Sequence, residues 1–335
     1  MATIETAVQQ TLVPDEDPAG RDVLHRTGQV ATTVLGRLVH MIGVIWAVAT
    51  IVFFLVNVIG NPAALMLPPD ATQAQVDALS HSLGLDRPIL VQYWDYISQL
   101  ATGNFGNSIW RHAPVLTAIR SALLPSLALM ATTLVITFVL AVALGALAGA
   151  RPNGIFDKIA TAIAFIGVSV PDFWVGLVLV AVFAVRLGWL PTSGYGAPAY
   201  FVLPVITLMT RPLGRILSTT RSSLIEELGR DHITTALSKG VARPLVLVRH
   251  GLRNSLITSI TLAADEVPML IGGCVVVETI FAWPGVGQMT LQAIQHRDLT
   301  LVTGMTVVTA VIVLVTNLVL ELAYSFLDPR IRRRK

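Results

Sequence analysis

The 335-residue sequence contains a single cysteine, three lysines and few charges, with only 13% of its residues Asp, Glu, Lys or Arg. One thiol excludes a disulfide framework, and Cys274 lies in an apolar run where a thiol acts as a small buried hydrophobe. None of Lys158, Lys239 and Lys335 follows the glycine that a phosphate-cradling Walker loop requires, so the chain has no nucleotide site of that kind. The seven histidines all avoid the middle of the long apolar runs. That argues against an intramembrane metalloprotease or a membrane Ser-His hydrolase, each of which needs histidine at the reacting centre. No metal-ligand spacing and no nucleophile motif stands out, so enzyme chemistry and a metal site are not expected. No basic cluster is interleaved with aromatics on a polar segment, and nucleic-acid binding is not expected either.

What is present is apolar residue: 54% of the chain, with a mean hydropathy of +0.71. A soluble fold of this size carries more charge, so the chain is read as an all-α integral membrane protein. A helix needs about 20 apolar residues to cross roughly 30 Å of hydrocarbon. Six segments qualify: about 38–59, 124–150, 159–185, 200–217, 256–277 and 299–327. The fourth is the weakest, since Pro204 and Pro212 interrupt it and Arg211 and Arg215 sit near its end.

Basic loops are retained in the cytoplasm. Placing the amino terminus inside puts sixteen Lys and Arg inside against Arg87, Arg111, Arg120, Arg186 and Arg297 outside. Both termini are therefore expected to be cytoplasmic, and the excess of basic residues is read as topology and contact with anionic membrane lipid. The first apolar run starts late and lacks a small-residue cleavage site, so it is expected to remain as an anchor. Residues 1–33 form a polar extension expected to be disordered.

Two loops exceed simple connections. In the outer segment 61–123, Thr72 and Gln75 are spaced as a capping box, and Ile89, Leu90, Tyr93, Trp94, Ile97 and Leu100 share one helical face, which predicts a small helical cap. Tyr93, Trp94, Tyr96 and Trp110 suit a membrane interface or a docking face for an external partner. In the inner loop 218–255, the stretch DHITTALSKG predicts a two-turn helix with Asp231 as N-cap, Ile233, Ala236 and Leu237 on one face, Lys239 at the negative end of the dipole and Gly240 in a left-handed cap. So short a helix is marginal alone, so it rests on lipid or docks a partner. Gly145 and Gly149 are spaced for close helix packing.

DHITTALSKG followed by RHGLRNSL (residues 249–256) resembles the coupling-helix signature of a known family. That family is the inner-membrane permease subunits of ATP-binding-cassette (ABC) importers for dipeptides and oligopeptides, with nickel importers as close relatives. LGLDRPILVQYW from residue 83, PDFWVGLVL from 171, RLGWLPTSGYG from 186, ETIFAWPGVG from 278 and LDPRIR at 327–332 are similar to the family's other conserved stretches and occur in its order. The resemblance covers about residues 34–332 and implies the type I importer permease fold. The sequence departs from the pattern at Gly60-Asn61-Pro62, at His232 where Tyr is usual, in its longer amino-terminal extension, and at Asp265 and Glu266.

The resemblance implies a multi-pass permease in the cytoplasmic membrane of a prokaryote, with no cofactor of its own. Two ATP-binding-cassette ATPase subunits or domains would hold ATP and Mg. A second, related permease subunit and an extracytoplasmic peptide-binding protein would complete the assembly. Asp231, His232, Ile233, Ala236, Leu237, Lys239 and Gly240 would form the ATPase-coupling element. Ionisable groups inside spans are costly and suggest function, which makes Asp172, Arg211, Asp265 and Glu266 candidates for the pathway or its gate. A carboxylate there could hold a peptide's amino terminus or pair with Arg211. Import of a nickel complex, or secondary transport without ATP, are the alternatives; no inverted repeat supports the latter.

Overall fold

The computed structural model describes residues 18–327 except 59–62, 65–66, 68–69 and 83, with side-chain environments described between 36 and 320. Residues 1–17, the Gly60-Asn61-Pro62 departure and the basic tail from residue 328 lie outside the described residues. Packing separates a first unit ending at Ala47 from a second beginning at Val48.

The first helix, α1, runs Pro18–Val58. Its backbone is helical over residues 18–33. Pro18 stands at the helix start, where a missing N–H costs nothing, and no later proline interrupts the helix before it becomes apolar.

Two short helices follow, α2 (Gln73–Ser82) and α3 (Ile89–Ala101). The Gln75 side chain accepts from the Thr72 backbone N–H at 2.8 Å, which is half of the predicted capping box. On α3, Tyr93 is buried and donates to or accepts from Thr50 at 3.0 Å, while its ring meets Phe53 and Phe54. Trp94 on the same helix is exposed. A two-residue hairpin, β1 (Asn107–Ser108) and β2 (Ala113–Pro114), leads into the long helix α4 (Val115–Ala150).

The third expected span is not one straight helix. It consists of α5 (Ile155–Ser169) and α6 (Asp172–Leu179), the latter continuing in a wider π-helical turn over Val180–Arg186, and the second arm is bent by 106° from the direction of the first. The break falls at Pro171, which disfavours the helical conformation for Val170, whose φ of −91° and ψ of 131° are extended. Next comes α7 (Pro198–Leu228), longer than the expected fourth span because its polar second half stays helical. The two-turn α8 (Asp231–Ser238) is followed by α9 (Arg243–Val246), a wider turn over Leu247–Leu252 and α10 (Arg253–Ile280). The chain then forms α11 (Val286–Gln295) and α12 (Leu299–Leu327). Among the described residues five helical runs are long and apolar enough to cross a membrane, and the bent pair makes six if it counts as one span.

In the second unit α7 is the central helix: half of its most apolar stretch is buried within the chain, against 22% for α4. Glycine makes this possible. A Cβ at Gly145 of α4 would stand 2.7 Å from the Leu217 carbonyl oxygen, and one at Gly149 would stand 3.0 Å from that of Arg221. The same close approach joins α5 to α7, where Cβ atoms at Gly167 and Gly214 would stand 2.5 and 2.4 Å from the carbonyl oxygens of Thr210 and Ala164. Small residues let helix backbones touch where lipid offers no hydrophobic drive for association. Around these contacts Ala141, Ala148, Ala160, Ala164, Ile216 and Leu217 form one core; Leu129, Leu208, Leu270, Phe281 and Trp283 anchor a second toward the opposite end.

Candidate functional site

Helix α8 lies at the end of the bundle that carries Arg221, Arg230, Lys239 and Arg243. Its N-cap is Arg230, in an extended conformation, and no side chain caps it. Asp231 therefore occupies the first helical position, a correction to the expected cap; there its charge still meets the positive end of the helix dipole. Ile233 is buried and fastens the helix to the bundle. Ala236 is half-buried, while Leu237 is 42% exposed and His232 and Lys239 also face outward. Gly240 has φ +80°, the left-handed conformation the sequence predicts, and the Gly240 N–H donates to Leu237 O at 2.9 Å. One side of the two-turn helix is thus buried and another is exposed.

What holds α8 is a residue the sequence does not single out. Glu227, buried in the last turn of α7, lies 3.1 Å from Arg230 Nε and 3.3 Å from His232 Nε2. It also accepts from Asn254 Nδ2 of α10 at 2.6 Å. Its neighbour Glu226 is exposed and reaches Arg230 alone.

Three of the four midspan candidates converge. Asp172, Arg211 and Glu266 line one small enclosure of about 10 Å³, together with Leu208, Met269 and Gly273, which leaves room for about one water. They come from α6, α7 and α10, so the elbow at Pro171 places Asp172 against the two long helices. Asp172 Oδ1 is buried and has no hydrogen-bond partner among the described residues. Glu266, 1% exposed, is ion-paired with Arg215 rather than with Arg211. The reason is helical geometry: Arg215 lies one turn beyond Arg211 on α7, level with Glu266. Asp265, adjacent in sequence but about 100° around the helix, is exposed and does not line the enclosure.

Other carboxylates hold the frame. Asp157, at the start of α5, receives the Arg221 guanidinium of α7 through two nitrogens and the Asn153 N–H at 2.8 Å. Glu278, in the ETIFAWPGVG stretch, accepts from Ser126 Oγ, from Gly287 N at 2.7 Å and from Gln288 N at 3.1 Å, so it caps the positive end of α11. A Cβ at Gly285 would stand 2.0 Å from Glu278 Oε1, which explains glycine there. Asp298 similarly accepts from Ser108 Oγ, Trp110 N and Leu301 N, tying the hairpin to α12. At that end a cavity of about 420 Å³ lies between α3, the end of α1 and the start of α12, lined among others by Phe53, Arg87, Asp95, Tyr96, Thr300 and Val307. Burial pushes the Tyr96 hydroxyl up to about 12, and its oxygen has no hydrogen-bond partner among the described residues.

The chain matches the sequence profile of the binding-protein-dependent transport system inner membrane component over residues 141–333, and that of the same component's amino-terminal part over residues 31–142. The chain belongs to this permease family. It is 34% identical over 300 residues to the glutathione transport system permease protein GsiC of Escherichia coli (strain K12), covering 89% of this chain and 98% of the relative. The same identity and coverage hold for GsiC of Shigella dysenteriae serotype 1 and of Salmonella typhi. This permease is thus an inner-membrane component of an ABC importer of the peptide/nickel type, with the type I importer permease fold, in the cytoplasmic membrane. It is not a catalytic enzyme. Permeases of this family work with ATPases, a second permease and a periplasmic binding protein.

Proposed function

We propose that this permease moves short peptides, of the size of glutathione, inward across the cytoplasmic membrane, driven by ATP that separate Mg-dependent ATPase subunits hydrolyse. The observation that carries the reading is similarity over nearly the whole chain to a permease named for glutathione transport. Both termini are cytoplasmic in this reading, which places α8 and the basic end of the bundle inside. The exposed Leu237 and half-buried Ala236 enter a groove on an ATPase subunit, with Asp231, His232 and Lys239 at its rim and Gly240 turning the chain back. Closure of the ATPase pair on ATP then moves the bundle as a rigid-body switch.

The charges around the small enclosure form the gate. In the conformation described, Asp172, Arg211 and Glu266 surround a space of only about 10 Å³. Opening separates α6 from α7 and α10 and exposes carboxylate to a peptide's amino terminus. Asp265 stands on the outer side of α10, in reach of the second permease subunit.

The test is ATP-dependent uptake of labelled glutathione and of free-amine tripeptides by the complete complex in proteoliposomes. Replacing Asp265 and Glu266 with Asn and Gln should slow uptake at least fivefold while the subunits still assemble. Full transport by that double variant rejects the gate. Uptake of a nickel chelate in place of every peptide tested rejects peptide as substrate.

A further inference from the structure

Helices α7 and α10 run antiparallel, and three polar contacts join them at successive depths. Glu227 and Asn254 form the first, 2.6 Å apart. Thr220 Oγ1 and Ser259 Oγ form the second at 2.8 Å, with Thr220 and Ser259 both fully buried. Arg215 and Glu266 form the third. Counting along either helix, the first and third contacts are separated by the same twelve residues, about 18 Å at 1.5 Å per residue. Each contact has at least one buried partner, Glu227, Thr220 with Ser259, and Glu266, and the three follow one seam between the helices.

The upper end of the seam is also the anchor of α8, because Glu227 takes Arg230 and His232 from that side. The lower end adjoins the enclosure that Asp172 closes. A side branch runs through Arg221, one residue beyond Thr220, to Asp157 on α5. That helix ends at the Pro171 elbow beside Asp172. A rigid element with polar contacts at fixed spacing carries displacement along its length, and it does so measurably only if both ends bias the same two-state element.

We infer that this polar seam, headed by Glu227, links α8 to the midspan charges and carries movement of the coupling helix to the gate. Glu227, Asn254, Thr220 and Ser259 act as positioning residues; they touch neither peptide nor nucleotide. The inference rests on the coupling reading of α8.

The experiment uses the assembled complex with its ATPases, purified in mild detergent. Met269, half-exposed beside the enclosure, is replaced by cysteine, and buried Cys274 is the unlabelled background, checked with the chain lacking Met269→Cys. Maleimide labelling at position 269 is timed without nucleotide and with ATP plus vanadate. The seam is cut either at its head by Glu227→Gln or in the middle by Thr220→Val with Ser259→Ala, a near-isosteric change that leaves no charge unpaired. With equal amounts of ATPase co-purified, the nucleotide-dependent change in labelling rate should fall at least fivefold in each. A middle-cut complex that responds within twofold of the parent overturns the inference. A parent complex with ATPase bound and no response to ATP overturns the coupling reading as well, which distinguishes the two failures.

Discussion

At the scale of single residues, glycine and carboxylate do most of the specifying. Gly214 shows the principle: a Cβ there would lie 2.4 Å from the Ala164 carbonyl oxygen, a backbone atom that cannot swing aside. Gly214→Val should lower the melting temperature in detergent, at a cost of about 1–3 kcal/mol or more for overpacking. Gly272→Ala, in a helix where a Cβ meets nothing within 4 Å, should hold the melting temperature or raise it slightly. Gly145 and Gly149 were legible from their small-xxx-small spacing alone. Gly167 and Gly214 were not: the carbonyl oxygens they meet, of Thr210 and Ala164, lie 43 and 50 residues away in sequence. The buried acids divide in the same way. Asp172 and Glu266 stand out as charges within apolar runs, whereas Glu227, Asp157 and Asp298 sit in polar sequence where an acid is ordinary. Only their partners, Asn254, Arg221 and Ser108, distinguish them.

At the scale of elements, hydrophobic length located the spans and turn chemistry located α8. Its boundaries were read to within a residue because Gly240 ends it at positive φ and the amphipathic spacing of Ile233, Ala236 and Leu237 begins just after Arg230. Which of those three faces inward is decided by tertiary packing: Ile233 is 3% exposed and Leu237 42%. Leu237→Arg should therefore fold normally and still weaken ATPase co-purification at least tenfold, a loss of about 1.4 kcal/mol in binding. Ile233→Arg should instead reduce the amount of folded permease, read by size-exclusion chromatography. The elbow at Pro171 was hidden for a different reason. Hydropathy is blind to direction, and α5 and α6 together are as apolar as one straight span. The proline and the polar Asp172 after it carried the signal, yet prolines at 125, 204, 212 and 268 sit inside continuous helices. Pro171 differs in that an extended Val170 breaks the helix ahead of it.

At the scale of the whole molecule, the chain is a transport subunit with no energy source of its own. It presents a short helix at one end, encloses opposed charges at mid-depth and joins the two through packed antiparallel helices. In the proposed reading the bundle moves only when another protein pushes on α8. Mass spectrometry of the proteins that co-purify with the tagged permease from its native membrane in mild detergent tests it most directly. Recovery of an ATP-binding-cassette ATPase, a second permease of the same family and a peptide-type binding protein is the expected result. Recovery of this chain alone, with peptide uptake persisting in cells that lack those partners, would contradict it.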